Sequence, residues 1–306
     1  MLAFSSYADA HLHLACLAEM SVEASLRILN AVPYCAVSCA HEKNEFIEQE
    51  KRIEKITNTA TSEANGIMCA QCRDAAPSVE NSAYVSHAKK SVQIFCAFGM
   101  HPQLPLVENA GFMETLLQEN RIVAIGEAGF DLFKQYRDDR ARQETAWRIS
   151  CELACTYAVP LVVHCRKALD RMFADAKLLA SIPAVIFHSF TGSVQDAVSL
   201  LRRGVNAYFS FGNPLIFGDK SAIGCVQKLP IDRLLLETDA PYQTVRGEDE
   251  TKLSGITRVY DAAFAIRYGA AATGHAPLTE HAAVAEQAAE FAEHIFANFK
   301  CAYAVP

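Results

Sequence analysis

The sequence predicts an α/β chain folded as a TIM (β/α)8 barrel, on three observations. Eight short runs of β-branched, aromatic and other apolar residues recur along the 306 residues, most of them closing in a polar or Gly-bearing turn. Between the runs lie stretches with apolar residues at helical spacing. Finally, Pro33, Pro160, Pro183 and Pro230 each stand just before or at the start of a run, where a missing N–H costs a sheet little and a preceding helix is stopped. Strand alternating with helix eight times is the pattern of a parallel barrel.

The first run, Phe4 to His13, opens the barrel, and Leu26, Leu29 and Val32 at helical spacing lead to the second, Tyr34 to Ala40. More than fifty residues separate Ala40 from Val92. A charged helix-like run from Glu45 to Lys55 fills part of that gap, and Thr57 to Ser86, rich in Ser, Thr, Asn and Ala, reads as an excursion on the barrel surface. The third and fourth strands are Val92 to Gly99 and Ile122 to Gly129. Trp147, Cys151, Ala154 and Ala158 mark a helix before the fifth, Leu161 to Cys165. The remaining runs are Ala184 to Phe190, Ala207 to Gly212 and Leu234 to Asp239. From Pro277 to Lys300, Val284, Ala288, Phe291, Ile295 and Phe299 recur every three or four residues, the stripe of an amphipathic helix closing the barrel. With no composition break to mark a linker, the expectation is one domain over residues 1–306.

Hydrophobic residues at 51% and charged residues at 21% supply a large core and exclude a disordered or low-complexity chain. A net charge of −7 argues against a broad basic surface for nucleic acid, so a polyanionic substrate needs bound metal or a few local Arg and Lys to supply positive field. The N-terminal stretch has neither a positive region nor an apolar run of membrane-spanning length, and the expectation is a cytoplasmic protein with no membrane segment. Eleven scattered cysteines do not form a disulfide scaffold. Cys69 and Cys72 make one C-x-x-C, but without a second pair or a nearby His at zinc spacing they read as small hydrophobes. Neither G-x-G-x-x-G nor G-x-x-x-x-G-K occurs, so no nucleotide cofactor is expected.

Chemistry gathers at the carboxyl ends of the runs, where a barrel carries its active site. The first ends in Asp9-Ala10-His11-Leu12-His13, whose two imidazoles share a face because strand residues two apart point the same way. The fourth carries Glu127 before Gly129-Phe130-Asp131, the fifth His164-Cys165-Arg166, the sixth His188-Ser189, and the eighth Glu237-Thr238-Asp239. His11, His13, His164 and His188 with Glu127 and Asp239 form a nitrogen-and-oxygen set suited to Zn, Mn, Fe or Ni. A lone strand histidine is usually a satisfied core residue. Six candidate ligands at the same end of their strands are hard to explain that way, because carboxylates are costly to bury unpaired. Cys165 and Ser189 should alternate away from the site, leaving no Ser or Cys nucleophile. Gly126, Gly129, Gly192 and Gly212 serve backbone geometry around the mouth.

D-A-H-L-H near the N-terminus, F-G-M-H-P at 98–102, G-E-A-G-F-D at 126–131, H-C-R at 164–166, H-S-F-T-G-S at 188–193 and L-L-L-E-T-D-A-P-Y at 234–242 resemble, in order, the TatD family of metal-dependent hydrolases. That resemblance implies two divalent metals (Mg, Mn, Zn or similar) and hydrolysis of DNA phosphodiesters, of the 3'-5' exonuclease type, by two-metal activation of water. It implies one metal held by His11, His13 and Asp239, the other by His164 and His188, with Glu127 bridging. The chain departs from the family pattern at Ala15-Cys16, from Gln243 to Gly255, and in the length of the Thr57 to Ser86 excursion.

On this basis Asp239 is the group expected to orient the water and take its proton. Arg166 either grips phosphate bidentately or pairs with Asp131 or Glu237. His101 faces the site to contact phosphate or protonate the leaving group, against a structural hydrogen bond as the alternative. Two competing functions remain: a hydrolase of small-molecule esters, amides or lactones on the same barrel, and a metal-binding barrel without catalysis.

Overall fold

A computed structural model describes residues 2, 4–71, 92–269 and 278–306. Its eight strands form one parallel sheet in the order β1 to β8. They are β1 (Tyr7–Leu12), β2 (Tyr34–Ala40), β3 (Val92–Phe98), β4 (Ala124–Asp131), β5 (Leu161–Arg166), β6 (Val185–Phe187), β7 (Ala207–Phe211) and β8 (Leu234–Leu236). Helices α1 (Glu19–Leu29), α2 (Lys43–Gln71), α3 (Ala110–Gln118) and α4 (Arg140–Thr156) follow the first four strands. α5 (Leu169–Ala174) and α6 (Ala176–Leu179) follow β5, α7 (Val194–Arg202) follows β6, α8 (Lys220–Lys228) follows β7, and α9 (Ile256–Tyr268) and α10 (Leu278–Tyr303) follow β8. The α/β barrel read from the sequence is therefore the fold.

Two of the sequence-read strands stop three residues earlier than expected. β6 ends at Phe187 rather than Phe190, and β8 at Leu236 rather than Asp239. The reason is backbone conformation: Ser189 and Asp239 take φ of 44° and 55°, left-handed values that end a strand. His188 and Asp239 thus project from turns just past their strands. The charged run after β2 is also longer than expected, because α2 continues to Gln71 through the first part of the Thr57 to Ser86 segment. The rest of that segment and Cys72 lie outside the described residues, as does Pro277 ahead of α10.

Two apolar layers hold the barrel. The outer one lies between strands and helices, where Trp147 of α4 is fully buried and its indole N–H donates to Asp175 Oδ2 at 2.8 Å. The inner one is built from alternate strand residues, small ones on β1 and β2: Ala8, Ala10, Cys35 and Cys39. The space they leave is taken by Phe299 and Tyr303 of α10. Tyr303 donates from its hydroxyl to the Ala10 carbonyl at 2.6 Å, and Asn298 Nδ2 caps the Leu234 carbonyl at 2.9 Å. Phe291, Ile295 and Phe299 are buried, so the stripe seen in the sequence faces the core.

β1 and β8 meet without a strand ladder among the described residues. Two backbone bonds beyond the strand ends join them instead, from Asp239 N to His11 O (2.9 Å) and from His13 N to Ala240 O (2.7 Å). Asp9 completes the seam: its carboxylate accepts from Thr238 N at 2.9 Å and Thr238 Oγ1 at 2.7 Å. No helix among the described residues is long and apolar enough to cross a membrane.

Candidate metal centre

Glycines let the strands that carry the site come close. A Cβ on Gly129 (φ 140°) would run into the His164 carbonyl oxygen, and one on Gly99 into the Glu127 carbonyl. Glu127, 2% exposed, lies at the centre of what these strands bring together. Its Oε1 is 3.3 Å from His11 Nε2, 3.4 Å from His13 Nε2 and 3.3 Å from His41 Nε2. Its Oε2 is 2.6 Å from His188 Nε2, 3.1 Å from His164 Nδ1 and 3.4 Å from His101 Nε2. Asp239 Oδ1 stands 3.6 and 3.5 Å from His11 and His13 Nε2. All six sequence-predicted ligands are thus in one cluster.

Burial alone would favour the neutral Glu127 carboxyl, but the facing imidazoles of His188, His101 and His11 outweigh it and hold its pKa well below the usual range. His188 shows the reciprocal effect: burial opposes its charge, yet Glu127 beside it raises its pKa to about 10. Burial, with neighbouring imidazoles, lowers His11 to about 4 and His101 to about 3. His188 and Glu127 thus attract one another across 2.6 Å, and a bound cation displaces protons from such donors.

The donor set fits divalent metal. His11, His13 and Asp239 have ligand atoms within 4.8 Å of one another, as do His11, Glu127 and His188, and His101, Glu127 and His164. The nitrogens of His11 and His13, and those of His164 and His188, face each other at 3.1 Å. The Nδ1 atoms of His188 and His41 are buried without a hydrogen-bond partner among the described residues. Imidazole nitrogens and carboxylate oxygens converging in this way are ligands for Zn, Mn or similar ions.

Behind Asp239 lies a hydrogen-bonded strut. Gln243 Nε2 donates to Asp239 Oδ2 at 2.6 Å and to Ser189 Oγ, and Ser189 in turn donates from N and Oγ to Glu237 Oε1, each at 2.7 Å. Gln243 shares the left-handed backbone of Ser189 and Asp239, with φ 51°. Non-glycine residues hold such conformations only where surrounding bonds over-determine them. Ser189 therefore lines the cleft rather than pointing away, because β6 ends before strand alternation reaches it.

A cleft of about 930 Å³ opens over the cluster. Arg166 stands at its rim, its side chain 45% exposed, 3.8 Å from Asp131 Oδ2 and stacked at 4.0 Å over the Phe133 ring. Of the two carboxylates weighed as its partner, Asp131 is the neighbour, while Glu237 is occupied by Ser189. His101 makes a structural hydrogen bond, its Nδ1 accepting from Gln103 N at 3.1 Å, while its Nε2 faces Glu127 at 3.4 Å. Sequence reasoning missed His41 and Gln243. His41 follows β2 directly, so the carboxyl-end rule that found the other ligands also points to it.

A parallel eight-stranded barrel with this cluster at its carboxyl mouth defines the class of metal-dependent hydrolase barrels. The chain belongs to the TatD family: the family described as TatD related DNase matches residues 8–304. Among curated relatives, a 3'-5' ssDNA/RNA exonuclease TatD of Cronobacter turicensis is 33% identical over 170 residues, covering 53% of this chain and 63% of the relative. An uncharacterized metal-dependent hydrolase YabD of Bacillus subtilis is 32% identical over 156 residues, 49% of this chain and 60% of the relative. These alignments span less than two thirds of either relative. Among solved structures, the TatD homolog YJJV of Escherichia coli superposes with a TM-score of 0.68 at 21% identity, covering 98% of both chains, which shows the shared fold.

Proposed function

We propose that this chain is a metal-dependent nuclease that hydrolyses phosphodiester bonds of DNA, trimming single strands from the 3' end. The observation that carries the reading is the Glu127-centred cluster beneath an open cleft. The relative named as a 3'-5' ssDNA/RNA exonuclease supports the substrate class.

In this reading His11, His13 and Asp239 hold one divalent ion, His164 and His188 the other, and Glu127 lies between them. When bound, the two ions acidify water and neutralise charge on the phosphoryl oxygens. The residues of the chain do the rest. Asp239 accepts the proton of the attacking water, and the Gln243 amide bonded to its Oδ2 fixes the carboxylate for that role. Arg166 offers a planar fork to phosphate at the rim, its stacking on Phe133 pre-setting the guanidinium plane. His101, kept neutral by burial, contacts phosphate through a hydrogen bond rather than supplying the leaving-group proton. Cys35, Cys39, Cys151 and Cys225 are buried free thiols, which fits action in a reducing cytoplasm.

The test is hydrolysis of end-labelled single- and double-stranded DNA with Mg²⁺, Mn²⁺ or Zn²⁺ restored after chelation, comparing wild type with His164→Ala. Metal-restored stepwise shortening, lost by about 10²-fold or more in the variant, is the expected outcome. Intact DNA under every metal refutes it and favours a small-molecule ester, amide or lactone substrate. The acidic residues Glu42, Glu45 and Asp219 lining the same cleft speak for that second reading, since they repel a polyanion.

Gln243→Leu tests the strut. Losing the donor to Asp239 is expected to lower kcat by about tenfold, the scale of outer-sphere ligand partners, with KM and metal content near wild type. Unchanged kcat in steady-state assays would leave the strut without a catalytic role.

A further inference from the structure

His41 belongs to no motif, and nothing in the proposed ligand set requires it. Its backbone is nonetheless fixed on both sides: its N–H donates to Glu45 Oε2 at 2.7 Å, and its carbonyl accepts from Asn109 Nδ2 at 3.3 Å. Its ring stands 4.8 Å from that of His101 and 5.4 Å from that of His13. The ring's Nδ1 is buried without a partner among the described residues, so its single polar contact is Nε2 against Glu127 Oε1 at 3.3 Å.

That contact cannot be explained as a hydrogen bond alone. A carboxylate oxygen has two lone-pair sites, and His11 and His13 already face Oε1 at 3.3 and 3.4 Å. A third imidazole nitrogen exceeds what Oε1 can accept, whereas nitrogen lone pairs and a carboxylate converging on one point are what a cation needs. The ligand atoms of His13, His41 and Glu127 lie within 4.8 Å of one another, the same compactness as His11, His13 and Asp239.

Resting on the metal reading above, we infer that His41 Nε2 is an additional ligand at the metal position assigned to His11 and His13, whose Nε2 atoms face the same Glu127 oxygen, so that this position carries three imidazoles. Oxygen-preferring Mg²⁺ gains little from a third imidazole, while Zn²⁺, Co²⁺ and Ni²⁺ gain much. The inference thus narrows the metal: the full chain selects a transition ion over Mg²⁺ at this position, and His41 is part of the selection.

The experiment strips the full chain with chelator and titrates wild type, His41→Ala and His41→Gln with Co²⁺, reading the visible absorption bands of the bound ion, and with Mg²⁺ by calorimetry. The expected result is Co²⁺ binding at one position weakened about tenfold or more in both variants. The bands should shift, Mg²⁺ affinity should change little, and the circular dichroism of the metal-free chains should match wild type. Unchanged Co²⁺ affinity and bands in both variants overturn the inference, and if KM for DNA rises at the same time they make His41 a substrate contact. Wild type that takes up no Co²⁺ overturns the metal reading itself and this inference with it.

Discussion

Glu127→Gln is expected to cut turnover by about 10³-fold or more, the several kcal/mol that metal ions supply to charge stabilisation in a transition state. The neutral amide keeps the shape of the side chain but removes the anion to which all six imidazoles are aimed. The site then lacks a negative charge that would offset bound metal. Metal analysis of the purified variant should find less bound ion, and single-turnover assays should show the slow step. A variant that keeps full metal content and more than about a tenth of wild-type activity would remove Glu127 from the centre of the site.

Asp9→Ala is expected to destabilise the chain by about 3 kcal/mol or more, because it leaves several buried donors without an acceptor at once. The Asp9 carboxylate is fully buried and accepts from Thr238 N and Oγ1, from His11 N at 3.3 Å and from the Tyr34 hydroxyl at 3.5 Å. In a chain of this size the loss corresponds to a fall in Tm of roughly 5 to 10 °C, read by thermal denaturation. Asp9→Asn retains one acceptor oxygen and should fall between. If Asp9→Ala unfolds within about 1 °C of wild type, the seam does not depend on this clamp.

The barrel and most of its chemistry could be read from the amino-acid sequence because both rest on periodicity. Proline-punctuated apolar runs located the strands, and two-residue spacing placed His11 and His13 on one face. What escaped depends on tertiary geometry. His41 gains meaning only when the barrel brings Glu127 across from it, and no spacing in the chain links a residue just after β2 to one on β4. The side chain of Ser189 turns into the cleft because φ at that residue is 44°, a value fixed by Glu237 and Gln243 from the far end of the chain. The Ser, Thr and Asn content after Thr57 suggested that the helix stops, yet α2 runs on to Gln71 with no proline in its way.

The seam between β1 and β8 gives the metal centre a second consequence. Asp9 and Thr238, 229 residues apart, sit where the barrel closes without a ladder, and just beyond them His11, His13 and Asp239 converge from its two edges. An ion held by those three residues acts as a reversible cross-link between the beginning and the end of the chain. Ion binding free energy then becomes closure free energy, about 2.7 kcal/mol at a hundredfold excess over Kd. If the ion sits there, chelation is expected to lower the Tm of the chain as well as its activity, read by thermal denaturation with and without added metal.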